Sequence, residues 1–403
     1  MHPLTLVFLA LLVFSAVARA WLAQRQIAHV TAHRGAVPPQ FAARVSLDAH
    51  QLAADYTVAK TRLALWRIPL DAALVLAFTL GGGIGALTHV WQGVFSSELA
   101  QGTALVFSVV ALSTLAELPL EVYRVFGIEA RFGFNKMTPA MFLSDLAKQF
   151  LLGALLGLPL ILCVLWLMQR MGPCWWLYAW GVWMAFNLFV LAVYPTLIAP
   201  LFNKFTPLPD GALKTRIERL LAACGFAAKG LFVMDGSRRS RHGNAYFTGF
   251  GKNRRIVFFD TLLEKLDADE VEAVLAHELG HFKRHHVIKR IVLMFALSLL
   301  FLALLGWLAG KPWFYSALGV FTPSTAAALV LFFIALPVFL FPFEPLTSFL
   351  SRRHEFEADD YAASQCGAAP MTSALVKLYQ DNPATLTPDP LHSAVYVSHP
   401  PAP

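Results

Sequence analysis

The sequence has 403 residues, of which 57% are hydrophobic and only 14% are charged. Soluble chains carry charge on about a quarter of their residues, so this composition excludes an ordinary soluble enzyme and favours several membrane spans. The net charge of +7 does not indicate a nucleic-acid partner, because the basic residues flank apolar runs, as expected from the positive-inside rule. The four cysteines lack CxxC spacing, so they indicate neither a disulfide framework nor a thiolate metal site.

Seven apolar runs are long enough to cross a bilayer. The first could instead be a signal peptide, but Met1-His2-Pro3 contains no Lys or Arg and Arg19 falls inside the possible cleavage site, so we expect a retained span. The predicted spans are Leu4–Leu22, Ala72–Trp91, Thr103–Leu120, Phe150–Met168, Trp175–Ile198, Ile291–Leu308 and Ser324–Leu346.

Basic residues are concentrated in alternate loops. The segments after the first, third and fifth spans and the C-terminal tail are basic, whereas the other loops contain almost no Lys or Arg. The positive-inside rule then places the N-terminus outside and the C-terminus in the cytosol. Glu117 and Asn187 lie within predicted spans, where polar groups usually face a bundle interior or a water-filled cavity.

A metal-binding pattern follows the fifth span. His277 and His281 are four residues apart on a predicted helix, so both imidazoles lie on one face and can bind a single Zn²⁺. Glu278 beside them can take a proton from a water on the metal. Asp267 followed by Glu270 predicts a capping box at the start of this helix. The pattern is typical of a metal hydrolase.

A third protein ligand is expected after the last span, because a catalytic zinc site keeps its fourth position for water. Glu355 and Asp359 share a helix face, so one can bind the metal while the other orients a histidine. Glu357 points elsewhere, and we expect it to be solvated. Helical rise places His285 about 6 Å beyond the metal histidines, so His285 and His286 are expected to be bystanders at the membrane surface.

Strand patterns precede the metal helix. A short strand is predicted at 231–234, and the segments 244–250 and 256–259 flank a turn at 251–253, which is typical of a β-hairpin. Its edge could bind an extended peptide through main-chain hydrogen bonds, or the hairpin could be an ordinary packed element. The residues alone favour neither interpretation.

Five sequence blocks in this order, together with the seven spans, resemble the integral-membrane CAAX prenyl proteases of type I, a family of zinc metalloendopeptidases. A lone HExxH motif is moderately specific, but the five blocks are highly specific and extend over nearly the whole chain. The blocks are Gly133–Lys136, Ser240–Phe250, His277–His281, Glu355–Asp359 and Ser398–Pro401.

The resemblance implies a mainly α-helical polytopic membrane protein. Seven transmembrane helices would surround a chamber, and a gluzincin-like cytosolic zinc-protease domain would contain a small β-hairpin or sheet. Residues 1–202 would hold spans one to five with their loops, and 203–290 the catalytic domain with the hairpin and the HExxH helix. Residues 291–348 would hold spans six and seven, and 349–403 the C-terminal catalytic segment with the third zinc ligand.

The resemblance also assigns a metal site by match of motif. One Zn²⁺ per chain would be bound by His277, His281 and Glu355. Glu278 would be the general base, and Asp359 would hold a metal-binding histidine in place.

The same match assigns substrate contacts. Asn244 and His399 would be catalytic residues that contact the substrate and help to stabilise the oxyanion. Ala245, Tyr246 and Phe247 would form the peptide-binding edge.

The implied activity is hydrolysis of peptide bonds near the C-terminus of CaaX-type substrates whose cysteine carries a farnesyl or geranylgeranyl chain. The expected partners are a peptide or protein substrate, prenylated in that case, and the lipid bilayer, with no nucleic acid. The alternative is quality control, in which the same chemistry acts on misfolded or translocon-stalled membrane proteins. The Ala- and Leu-rich composition is typical of a bacterial source, so we expect an inner-membrane protein whose active site faces the cytoplasm.

Two further interpretations are disfavoured. A transporter that binds an ion in transit would not need the base Glu278, and the metal helix lies outside the apolar runs, between Asp267 and Lys283-Arg284. An intramembrane protease of the site-two type would place its histidines within an apolar span.

Overall fold

The structure is a computed structural model that describes residues 1–226, 228–248, 254–381 and 385–398. Helices dominate the described chain, as the sequence predicts. The helices are α1 (Pro3–Ala32), α2 (Leu47–Phe78), α3 (Gly83–Val94), α4 (Glu98–Val122), α5 (Pro139–Arg170), α6 (Trp175–Val193), α7 (Ala212–Ala223), α8 (Asp260–Leu263), α9 (Ala268–Lys283), α10 (His286–Leu308), α11 (Pro312–Ala317), α12 (Thr325–Leu340), α13 (Glu344–Cys366), α14 (Ala368–Asp381) and α15 (Pro390–Tyr396). The strands are β1 (Phe205–Pro207), β2 (Gly230–Met234), β3 (Ala245–Thr248) and β4 (Arg255–Phe259).

The membrane part contains six helices that are long and apolar enough to span a bilayer, and the bent pair of α2 and α3 would make a seventh. The axes of α2 and α3 are inclined at 53°. The predicted span Ala72–Trp91 is therefore not one continuous helix. The chain bends at Gly82, whose φ of +77° is available to glycine at little cost.

The spans enclose a packed apolar core and present apolar side chains on their outer faces. Phe8, Leu165 and Leu331 are fully buried between helices, whereas Phe150 and Leu155 are 68% and 71% exposed. Exposed apolar surface of this extent marks a membrane interaction surface. The architecture confirms the predicted polytopic membrane fold.

A cavity of about 1240 Å³ lies among the spans, bounded by residues of α2, α4, α5, α6, α10 and α12. It occupies the place expected for the chamber. Its lining includes the ion pairs Arg67–Glu117, at 2.6 Å, and Arg124–Glu121, at 2.5 Å. Glu117 faces this cavity, as expected for an ionisable group within a span.

A small mixed sheet and four helices form a second core outside the spans. The strand order is β1-β2-β4-β3, with β2 parallel to β4 and the other two pairs antiparallel. The β3–β4 pairing confirms the predicted hairpin, whose turn at 251–253 lies outside the described residues. Apolar side chains of α7, α9, α13 and α14 pack together with this sheet, for example Ile217, Phe258 and Leu275.

The two helices that carry the metal motifs are joined to membrane spans by short connections. A two-residue turn, Arg284-His285, leads from α9 into α10, and α12 passes through a single 3₁₀ turn, Phe341–Phe343, into α13. Helices α9 and α13 pack closely against each other. The soluble core is therefore joined to the membrane bundle at the metal motifs themselves.

Candidate metal centre and active site

Helix α9 begins with the predicted capping box. The Asp267 carboxylate accepts hydrogen bonds from the backbone N–H groups of Asp269 and Glu270, and Glu270 accepts one from the backbone N–H of Asp267. Glu270 is also bound by Ser373 Oγ and Lys377 Nζ of α14, each at 2.7 Å. The start of the metal helix is thus fixed both locally and by a later helix.

The three expected metal ligands come together where α9 faces α13. His277 Nε2 lies 3.2 Å from His281 Nε2, and Glu355 Oε2 lies 3.4 and 3.5 Å from these two atoms. A tetrahedral zinc ion with bonds of about 2.0–2.1 Å would hold its ligand atoms roughly 3.3–3.4 Å apart. Two imidazoles and one carboxylate are also a donor set of catalytic zinc sites. The residues therefore fit a zinc ion.

Electrostatics also favour a cation at this point. Burial lowers the pKa of the His277 imidazole, but its hydrogen bonds with Asp359 and Glu355 outweigh burial and raise this pKa to about 9. Burial raises the pKa of the Glu278 carboxyl above its usual range, against the opposing effect of the neighbouring imidazoles. The three carboxyl groups of Glu278, Glu355 and Asp359 lie close to the two imidazoles. Their negative charge can be balanced either by protons on the imidazoles or by a divalent metal ion.

Asp359 lies one helical turn after the third ligand and contacts the first histidine. Its Oδ1 is 2.7 Å from His277 Nδ1. A hydrogen bond at Nδ1 fixes the proton there and leaves Nε2 free for a metal. The structure therefore brings Asp359 to the position that its predicted role requires.

His286 departs from the sequence-based expectation. His286 is only 1% exposed, and its Nδ1 lies 2.9 Å from Nδ1 of His281. Its Nε2 lies 3.1 Å from Oε2 of Glu357. The interpretation of His286 as a surface bystander was wrong, because a turn between α9 and α10 folds His286 back toward His277 and His281. Glu357 keeps 29% of its side chain exposed, as a solvated residue would, but it also contacts His286. His285, in that turn, is exposed as expected.

The predicted substrate edge lies on β3, which packs against α9. Ala245 is buried in the soluble core, and the ring of Phe247 packs edge-on against Phe226 at 5.0 Å. Tyr246 projects to the other face, toward Phe259. The side chain of Phe247 thus contributes to packing, and only its backbone is available at the strand edge.

Asn244 immediately precedes β3 and is exposed. Its carbonyl oxygen accepts a hydrogen bond from Phe259 N–H at 2.9 Å, and its side-chain oxygen accepts one from Ala245 N–H at 2.8 Å. The carboxamide therefore lies at the edge of the strand. His399 lies outside the described residues, but the chain before it is held against α13 by Arg352, whose guanidinium donates to the Val397 carbonyl at 2.8 Å.

One connection between the spans and the catalytic loop was not predicted. Glu129, at the end of a π-helical turn after α4, is 8% exposed and accepts a hydrogen bond from Tyr56 at 2.7 Å. Its other oxygen lies 3.8 Å from Nε2 of His242, two residues before Asn244. A lone Glu near the end of a span gives no signal for such a contact, because its partners are distant in sequence.

Comparison with known proteins agrees with this architecture. The family model described as CAAX prenyl protease N-terminal, five membrane helices, matches residues 26–204, and the model of peptidase family M48 matches residues 207–403. The human CAAX prenyl protease 1 homolog is 33% identical, and the alignment covers 98% of this chain and 93% of the human protein. CAAX prenyl protease 1 of Saccharomyces cerevisiae is 34% identical over 75% of this chain and 71% of its own length.

A solved structure shows the same fold. The crystal structure of S. mikatae Ste24p superimposes with a TM-score of 0.91 at 29% identity, covering 100% of this chain and 97% of that one. The family models, the relatives and the fold all lead to one assignment. The chain belongs to peptidase family M48, among the CAAX prenyl proteases, and is an integral-membrane metalloendopeptidase.

Proposed function

We propose that the chain is a zinc metalloendopeptidase that cleaves peptide bonds near the C-terminus of CaaX-type substrates carrying an isoprenoid on cysteine. The observation that carries the proposal is the triangle of His277, His281 and Glu355, whose facing atoms are 3.2–3.5 Å apart. The names of the curated relatives, CAAX prenyl proteases, supply the substrate class.

The three residues of the triangle would hold one Zn²⁺. When bound, zinc supplies a Lewis acid that polarises the scissile carbonyl and makes water more acidic. Glu278 adjoins His277 on α9 and takes the proton from the attacking water, then delivers it to the leaving nitrogen. A carboxylate beside a pair of metal-binding histidines four residues apart is the general base of this motif.

The edge of β3 would bind the substrate backbone. Within the described sheet, β3 pairs with β4 on one side only. The carbonyl oxygen of Asn244 accepts a hydrogen bond from Phe259 N–H of β4. Because backbone groups in an antiparallel ladder point to alternate sides, the N–H and C=O groups of the odd-numbered residues Ala245 and Phe247 point toward the open edge. An extended peptide can add there as a strand, with Tyr246 beside it. Asn244 and His399 would contact the substrate and stabilise the oxyanion.

The active site would face the cytoplasm of a bacterial cell, in the inner membrane. A cluster of basic residues lies where the catalytic core joins the spans. It consists of Lys283 and Arg284 at the end of α9 and of Lys289 and Arg290 at the start of α10. Such clusters favour the cytosolic side. The Ala- and Leu-rich composition supports a bacterial source.

The catalytic unit would be assembled from two separate parts of the chain, residues 203–290 and 349–403, with 1–202 and 291–348 forming the membrane bundle. The buried core supports this division. Leu275 of α9 and Ile256 of β4 share one apolar cluster with Ala362, Met371 and Ala374 from the C-terminal part.

The test is mass spectrometry of a farnesylated CaaX peptide incubated with the purified, zinc-loaded full chain. We expect wild type to remove the last three residues, and the Glu278→Gln variant to retain zinc but cleave nothing. Cleavage of a misfolded membrane protein without cleavage of the farnesylated peptide would favour quality control instead. A wild-type chain that binds no zinc would overturn the proposed metal site.

A further inference from the structure

The two metal-binding histidines have different surroundings on the side away from the proposed metal. His277 Nδ1 meets the carboxylate of Asp359 directly, at 2.7 Å. His281 Nδ1 meets a second imidazole, that of His286, at 2.9 Å. His286 in turn meets Glu357, with 3.1 Å between Nε2 and Oε2. The carboxylate of Glu357 therefore contacts His281 only indirectly, through the ring of His286.

We propose that His286 and Glu357 are positioning residues that hold His281 in the tautomer and orientation needed to bind the metal. This inference rests on the proposed metal site. The chain of contacts runs from His281 Nδ1 to His286 Nδ1, across the ring to His286 Nε2, and on to Glu357. Arg353 Nε donates to the other oxygen of Glu357 at 3.2 Å.

The proton positions along this chain follow from one requirement. A histidine that offers Nε2 to a metal carries its proton on Nδ1, so His281 Nδ1–H must donate to His286 Nδ1. A neutral imidazole has one donor and one acceptor nitrogen, so the proton of His286 is on Nε2. That N–H points at the carboxylate of Glu357, which only accepts. Only one placement of the protons on His281 and His286 therefore gives every donor in these three residues an acceptor.

Glu357 decides between the two tautomers of His286. Without this carboxylate, the proton of His286 has no fixed acceptor at Nε2 and can occupy Nδ1. Two N–H groups would then face each other across the 2.9 Å that separates the two Nδ1 atoms. His281 would relieve this contact by moving its proton to Nε2, where it blocks metal binding.

The backbone is shaped to make this contact possible. In a continuous helix, a residue five positions after His281 would lie about 140° around the axis and about 7.5 Å along it, so the rings could not meet. The chain leaves α9 at Arg284, and His285 adopts φ of +57°, a left-handed conformation that is uncommon for a non-glycine residue. The turn brings His286 back, and the ring of His354 stacks on it at 4.1 Å.

Metal affinity tests the proposal independently of activity. Zinc dissociation constants are measured by competition with a chelator on the full chain in detergent. His286→Phe keeps the stacked ring but removes both nitrogens, and Glu357→Ala removes the carboxylate. We expect each variant to bind zinc about 10- to 100-fold more weakly, the loss usual for groups that orient a metal ligand. The double variant should lose little more than either single one, because both act through His281.

The matched control is His285→Asn, which removes the adjacent exposed imidazole and keeps a residue that tolerates the left-handed backbone. It should bind zinc as tightly as wild type. Thermal unfolding of the metal-free proteins should give similar midpoints, and Glu357→Gln serves as the conservative second variant if Glu357→Ala unfolds early. Wild-type zinc affinity in both His286→Phe and Glu357→Ala would overturn the positioning role alone. Failure of wild type to bind zinc would overturn the metal site and this role together.

Discussion

Gly280→Ala should weaken metal binding although the change touches no metal ligand. Gly280 lies between His277 and His281 on α9, at the closest approach to α13. A β-carbon added there would lie 2.9 Å from the Cα and 3.0 Å from the carbonyl oxygen of Ala358, and 3.1 Å from Cβ of Tyr361. The first two are backbone atoms, which cannot rotate away, so the helices themselves must separate.

The size of the shift follows from ordinary contact distances. Carbon atoms pack at about 3.5–4.0 Å, so α9 and α13 must move apart by roughly 0.5–1 Å. Metal sites tolerate deviations of only about 0.2 Å in their metal–ligand distances. Because Glu355 is on α13 and the histidines are on α9, the shift opens the ligand triangle. Alanine gains about 1 kcal/mol of helix propensity over glycine, but overpacking costs about 1–3 kcal/mol, so destabilisation dominates.

The assay is zinc affinity by chelator competition, together with thermal unfolding of the metal-free protein. We expect zinc affinity to fall by about 10- to 100-fold and the unfolding temperature to decrease. Gly153→Ala is the matched control, since Gly153 is also inside a helix but an added β-carbon would have nothing within 4 Å. If Gly280→Ala bound zinc as tightly as wild type, the inferred link between helix separation and ligand geometry would be refuted.

Three further predictions concern the cap, an ion pair and the metal. Asp267→Ala removes the capping box of α9 and should lower the free energy of unfolding by about 1 kcal/mol, as measured by chemical denaturation. Burial raises the pKa of the Asp389 carboxyl, but its hydrogen bonds with Arg25 and with the backbone N–H of His392, together with the positive charge of Arg25, outweigh burial and lower this pKa below its usual value. The Arg25–Asp389 pair therefore stabilises the fold above the unfolded-state pKa of about 4, and this stabilisation is lost as the pH falls below that value. The difference in unfolding temperature between wild type and Asp389→Asn should be smaller at about pH 3.5 than at pH 7. An equal difference at the two pH values would contradict the ion-pair account. Chelation of the metal should lower the unfolding temperature, and added zinc should restore it; an unchanged temperature would contradict a contribution of the metal to stability.

Features that depend on short-range helical geometry could be predicted from the sequence. The spacing of four between His277 and His281 places them on one face whatever surrounds them, and the same spacing relates Glu355 to Asp359. The capping box at Asp267 and the length of the apolar runs are equally local. Helical spacing therefore predicted the histidine pair and a carboxylate pair, but it left open whether Glu355 or Asp359 binds the metal. The family resemblance assigned that role to Glu355, and no local pattern could say that α13 would meet α9 at this distance.

Features that depend on a change of backbone direction could not be predicted. His286 reaches His281 only because the chain turns at His285, and helical periodicity without that turn places the two on different faces. Glu357 points away from Glu355 and keeps 29% of its side chain exposed, but no helical pattern shows that His286 of α10 contacts it. The bend between α2 and α3 and the three-residue strand β1 likewise give too short a pattern to be recognised.

The continuity of α13 with the span α12 fixes the distance between the candidate metal site and the end of that span. Glu355 lies eleven positions after Glu344, the first residue of α13, which is a rise of about 16 Å along the helix. The site therefore cannot change its distance from the end of α12 without a change in the conformation of α13. If a substrate were held by its own lipid at the end of the span, the stretch of chain between the anchored cysteine and the bond to be cut would have to cover this distance. The length of α13 would then limit which substrates can reach the site, whatever the side chains at the cleavage point.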